Sequence, residues 1–91
     1  MAGDIAEKLK QICSLIDSII EDHSVPRNIR VSLENCKNRM LKETTTDPRV
    51  AMASAIYALD EAANDINMPA HMRTSVWNVI SELERLKEEI K

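Results

Sequence analysis

Four side chains of the kinds that bind metals or act as nucleophiles occur in this chain: Cys13, His23, Cys36 and His71. A closed zinc site takes four ligands, usually in short-spaced pairs. No C-x-x-C, H-x-x-x-H or H-E-x-x-H occurs, and no Glu-x-x-His of the kind that holds two irons inside a bundle. No metal site and no cofactor site are therefore expected. Cys36 falls on an apolar stripe, where burial raises a thiol's pKa and makes it inert. Cys13 lies at the edge of the neighbouring stripe, which makes a Cys13–Cys36 contact plausible and a disulfide unexpected in a reducing compartment. The Thr44-Thr45-Thr46 run has no base beside it. The single Gly, at position 3, gives no phosphate-cradling loop. No catalytic residues emerge, and the chain reads as not an enzyme.

The elements that position these residues can be read from the apolar spacing. Prolines stand at 26, 48 and 69, each between two segments of helical pattern. Proline suits a helix's first turn and forces its predecessor out of helical geometry. Four helices are predicted, over about 4–21, 25–42, 48–64 and 69–89. The first carries Ile5, Leu9, Ile12, Ile16 and Ile19 on one stripe, widened by Cys13 and Ile20. The second carries Ile29, Leu33, Cys36 and Met40; the third Met52, Ile56, Leu59 and Ala63; the fourth Met72, Val76, Ile80, Leu83 and Ile90. Asp47 before Pro48 is an N-cap signal. No segment alternates with period two, so no strand is expected.

Short connections force successive helices to lie antiparallel. The fold class is all-α: a four-helix bundle of two related antiparallel hairpins, one over about 4–42 and the other over about 48–89, in a single domain spanning 1–91. A shift of 43 residues aligns the two halves. It brings together Asp17/Asp60, Asp22/Asp65, Pro26/Pro69, Arg30/Arg73, Ser32/Ser75 and Asn35/Asn78. Helical periodicity explains the apolar matches but not these polar ones. Register across each turn predicts structural pairs of Asp17 with Arg30 and of Asp60 with Arg73. Asp22 and Asp65 are expected to accept backbone N–H groups in the turns. The period also suits HEAT-type repeats, but two units are fewer than such a solenoid needs, which favours a closed bundle.

Composition narrows the partners. The net charge is −3, with no apolar run long enough to cross a membrane and no basic n-region for a signal peptide. A cytoplasmic protein is expected. Residues 27–49 carry +3, set by Arg27, Arg30, Lys37, Arg39, Lys42 and Arg49 against Glu34, Glu43 and Asp47. No aromatic platform accompanies them, so a solvated face is favoured over a nucleic-acid surface. The only two aromatics are Tyr57 and Trp77, with no Phe. Both fall well off their stripes, and Val31 stands opposite its own. An interface of Val31, Tyr57 and Trp77 is the functional reading, against the alternative that Trp77 fills a groove edge. The expected function is a non-enzymatic protein-interaction or self-associating helical module. The second expectation is a nucleic-acid-associated accessory protein using 27–49.

The segments S-V-P-R-N-I-R (24–30), D-P-R-V-A-M-A-S-A-I-Y-A-L-D (47–60) and N-M-P-A-H-M-R-T-S-V-W (67–77) are those of a known group. With them the chain, from about residue 5 to 87, resembles uncharacterised protein family 0147, small archaeal helical proteins of unknown function. The resemblance implies an archaeal cytoplasmic origin and a compact bundle of four helices. It implies no activity and carries over no site residue, and Cys13 and Cys36 belong to no motif of the family.

Overall fold

A computed structural model describes residues 2–90, with side chains from residue 5. Its helices are α1 (Ala2–Ile20), α2 (Arg27–Glu43), α3 (Pro48–Ala63) and α4 (Ala70–Glu89). No strand occurs among the described residues. Each helix packs against two others: α1 against α2 and α4, and α3 against α2 and α4. The four therefore form a ring with two diagonals, an all-α four-helix bundle 37 Å long and about half as wide.

Most of the stripe residues read from the sequence form the core, while Ile5, Ile20, Ile56, Ile80 and Ile90 are partly buried and pack against its edge. Ile16, Leu33, Met52, Leu59, Val76 and Leu83 are wholly buried. Burying a side chain of that size contributes about 1.5–3 kcal/mol each. Ala51, Ala55, Ala62, Val79 and Leu86 are also inside, so the stripes are broader than the spacing predicted. Val25 and Met68 join the core from the turns.

The prolines act differently from one another. Asp47 caps α3 by accepting the Val50 N–H at 3.3 Å, and Pro48 opens that helix. Pro26 and Pro69 lie one step outside their helices, with ψ of 147° and 142°. Helices α2 and α4 thus begin at Arg27 and Ala70, slightly later than predicted. The carbonyls of Pro26 and Pro69 accept the N–H groups of Arg30 and Arg73 and so start each helix.

The two hairpin turns share one plan. The Asp22 carboxylate accepts the Ser24 N–H, and the Asp65 carboxylate accepts the Asn67 N–H, both at 2.8 Å. The Asp22 carbonyl accepts the Val25 N–H, as the Asp65 carbonyl accepts that of Met68. These Asx turns reverse the chain without glycine, since the side chain mimics a backbone turn. No described residue has positive φ.

Candidate functional site

Of the residues expected to form structural pairs, Asp17 and Arg73 take other partners. Asp17 binds Lys37, two helical turns beyond Arg30. The cause is side-chain direction. Side chains on a helix lean toward its N-terminus. In an antiparallel hairpin Asp17 leans away from the turn, while residues of α2 lean toward it. Arg30 diverges from Asp17, and the long stem of Lys37 converges on it. In the second hairpin position 80 is Ile, so Lys37 has no counterpart, and Asp60 is exposed. Arg73 leans toward its turn and donates from Nη2 to the Asp65 carbonyl at 3.2 Å. The Nε atoms of Arg30 and Arg73 are both buried without a partner. Arg73 thus braces its turn, and no ion pair joins Arg30 to Asp17 or Arg73 to Asp60 among the described residues.

The residues expected at an interface are open to solvent. Trp77 is 50% exposed, Tyr57 69% and Val31 48%, on α4, α3 and α2 respectively. Ile66, in the turn before α4, is exposed as well.

The two histidines lie at the same end of the bundle, as superposed hairpins require. His71 Nε2 stands 3.4 Å from the Ser24 hydroxyl, which itself donates to Asp22. Two hydrogen bonds from Ser24, through its hydroxyl and its N–H, hold the Asp22 carboxyl below its ordinary range; burial opposes them slightly, and the His71 charge adds to them. In this chain of groups Ser24 gives its proton to a carboxylate, so the hydroxyl is anchored and not activated. Among the described residues no three His, Cys, Asp or Glu converge as a metal site would need.

The thiols are buried and free. Burial pushes Cys36 up to about 11, with Arg39 opposing and Cys13 adding to the shift. Burial likewise raises Cys13, against the nearby charge of Lys37. The Cys36 thiol points at the Ala55 carbonyl at 3.8 Å. Thiols held in this form are packing groups.

The feature that sequence reading missed is a pair of grooves between the hairpins. One lies between α1 and α4 and has a volume of about 300 Å³; the other lies between α2 and α3, at about 390 Å³. Each of the eight residues lining the first has its 43-residue counterpart in the second. The floors match as Ile19/Ala62, Met72/Ile29 and Val79/Cys36, and the polar walls as Asp22/Asp65, Ser75/Ser32 and Asn78/Asn35. The rims match as Leu15/Ala58 and Ser18/Glu61. The signal that could have found these grooves was in the repeat: Ser32/Ser75 and Asn35/Asn78 are polar identities to which no turn or pairing role was assigned. On the α1–α4 side the hollow continues toward the chain ends, where Lys8 and Glu89 pair across it at 2.8 Å.

An all-α ring of four helices, made of two like hairpins with open grooves between them, defines a small helical-bundle protein, in which no described helix is long and apolar enough to cross a membrane. The profile of the uncharacterised protein family UPF0147 matches residues 1–86, and the chain belongs to that family. It is 51% identical to the UPF0147 protein MJ1419 of Methanocaldococcus jannaschii over 81 residues, covering 89% of this chain and 86% of that one. It is 42% identical to the UPF0147 protein of Sulfurisphaera tokodaii, covering 93% of this chain and 94% of that one. Both organisms are archaea. The crystal structure of the unknown-function protein MMP1188 superposes with a TM-score of 0.78 at 47% identity, over 87% of this chain and 89% of that one.

Proposed function

We propose that this chain is a non-enzymatic helical module that works by protein association, first with a second copy of itself, through the outer faces of α2, α3 and α4. One observation carries the reading. A core with no Phe leaves its only Trp and only Tyr outside, at 50% and 69% exposure. Burying either ring would add more apolar area than most residues now inside. Their exposure is a cost to folding that an interface would recover, and these two residue types lead at interface hot spots. Val31 extends the apolar surface onto α2. The free thiols support a reducing, cytoplasmic setting.

The basic stretch 27–49 supports the nucleic-acid reading less. Lys37 is engaged by Asp17 and Arg39 lies against Glu43 at 3.6 Å, so two of its six cations already face carboxylates.

Sedimentation velocity at two concentrations tests the reading. The expected result is a mass that rises with concentration, and that falls to one chain in a Tyr57→Ser, Trp77→Ser double variant. A single-chain mass at both concentrations, with Trp77 fluorescence unchanged between them, overturns self-association.

A further inference from the structure

The 43-residue repeat sets each surface position of one hairpin against its match in the other. On the outer side of the second hairpin Val50, Ala53, Tyr57 and Trp77 are all exposed. Their matches in the first are Glu7, Lys10, Ser14 and Glu34, exposed as well. Beside them Ile56 and Ile80 are only partly buried, where the first hairpin has Cys13 and the ion-paired Lys37. The same fold is thus served by polar side chains at these positions in one half and carries apolar ones in the other. Folding does not require the apolar set, and an apolar patch that folding does not require marks an association surface.

These residues form one patch. Val50 and Tyr57 stand seven residues apart, about two turns, and so share the outward side of α3. Trp77 lies on the side of α4 away from the groove with α1, which Ser75, Asn78 and Val79 line, and therefore toward α3. Tyr57 is six residues before the end of α3 and Trp77 seven after the start of α4. The two rings therefore stand at one level across the antiparallel seam.

We propose that the second hairpin is the association half of the molecule and takes the second hairpin of another copy, face to face about a two-fold axis. This rests on the self-association reading above and narrows it to α3 and α4, with the first hairpin left in solvent. The charges around the patch select this occupant. Arg49 on α3 and Glu84 on α4 stand at its open end, and Asp60 on α3 and Arg73 on α4 at its turn end. The sign therefore alternates around the four corners. A two-fold along the helices sets Asp60 opposite Arg73 of the second copy, and Arg49 opposite its Glu84. A two-fold across the helices sets Asp60 opposite Arg49 and Arg73 opposite Glu84. Both keep the helices aligned and place unlike charges together, which is the self-complementarity that an isologous contact needs. The 16 residues of α3 and a bundle 20 × 18 Å across give the face a footprint of about 450 Å² per copy. Contacts of that extent lie at the small end of specific interfaces, where association is reversible.

The full chain is followed over concentration by sedimentation velocity and by Trp77 emission. The expected result is a mass rising to two chains, with the emission moving to the blue as the ring leaves water. Tyr57→Ser with Trp77→Glu gives the second hairpin the residues of the first, which the fold already accepts, and far-UV circular dichroism checks its helices. This variant stays a single chain at concentrations where the parent is paired. Asp60→Lys, at an exposed position, weakens pairing at least about tenfold, and by less in high salt. Val31→Thr copies Thr74 onto the outer side of α2 and leaves pairing unchanged. A parent that is one chain at every concentration ends the self-association reading and this inference together. Pairing that survives Tyr57→Ser with Trp77→Glu, or that Val31→Thr abolishes, leaves self-association standing and overturns the second hairpin as its seat. Growth beyond two chains, or an Asp60→Lys chain that pairs as tightly as the parent, overturns the two-fold contact.

Discussion

Helices α1 and α3 occupy equivalent places in the two hairpins, yet they are built from different stock. Where α1 has Ile12, Leu15, Ile19 and Ile20, α3 has Ala55, Ala58, Ala62 and Ala63. Their deepest positions, Ile16 and Leu59, are both wholly buried. The same register thus supports two ways of filling a seam. On α1 large side chains reach across to α4 and leave a wide groove with Leu15 half open. On α3 the small side chains let α2 come near enough for the Cys36 thiol to meet the Ala55 carbonyl. A repeat preserves the positions of contact, while side-chain volume decides how close the backbones stand.

That contrast is sharpest at one matched pair. Ile19→Ala should lower stability by about 2–5 kcal/mol, because it leaves a cavity under α1. Ala62→Ile gives α3 the residue of α1 and should cost about 1–3 kcal/mol through overpacking. Urea denaturation reads both, and an Ala62→Ile chain as stable as the parent would erase the proposed difference between the seams.

Asp47 separates the middle helix start from the other two, because neither Pro26 nor Pro69 has a side-chain cap. Asp47→Ala should cost about 1 kcal/mol, measured by the same denaturation. An unchanged midpoint would mean that Pro48 alone fixes the start of α3.

The turns are the most alike parts of the hairpins, and acid separates them from the rest. Asp22 has its carboxyl lowered by the Ser24 hydrogen bonds, so its contribution is complete above the unfolded carboxylate range and is lost as pH falls through the lowered folded value. Asp22→Asn keeps the turn bond and should flatten this part of the acid limb, whereas Asp22→Ala should lower the melting temperature near neutral pH. A melting curve that follows pH identically in the parent and the Asn variant would contradict the assignment.

The smallest expected effect comes from the one ion pair without a counterpart. Lys37→Ile copies Ile80 of the second hairpin and should change stability by no more than about 0.5 kcal/mol, since a half-exposed pair contributes little. A larger loss would show Asp17–Lys37 to be a main support of the first hairpin.

Much of the architecture was legible in the chain, and the reasons are local. Pro26, Pro48 and Pro69 mark boundaries because proline restricts its own φ and its predecessor's backbone wherever it stands. Most of the stripe residues are buried as read, because helical spacing alone puts them on one face, but Ile20, Ile56 and Ile80 are only partly buried and flank the core. The two Asx turns were legible for the same reason, as a short carboxylate reaches only its own neighbourhood. The pairing of Asp17 was not. Residue counting puts Arg30 at its level, but side-chain lean, which depends on the antiparallel packing, puts Lys37 at its oxygen. The grooves were equally hidden, since each is walled by two helices whose distance apart no single stretch of sequence sets.

Four helices, the greater part of their inner faces and the reversal at each turn were fixed locally, because those follow from backbone sterics and a period of 3.6 residues. Only the tertiary structure decided which long side chain meets which carboxylate, how near α3 stands to α2, and that Ser32, Asn35, Ser75 and Asn78 line two matching grooves. Those outcomes depend on volumes and directions that meet across separate helices, and no local stretch of chain carries both sides of such a contact.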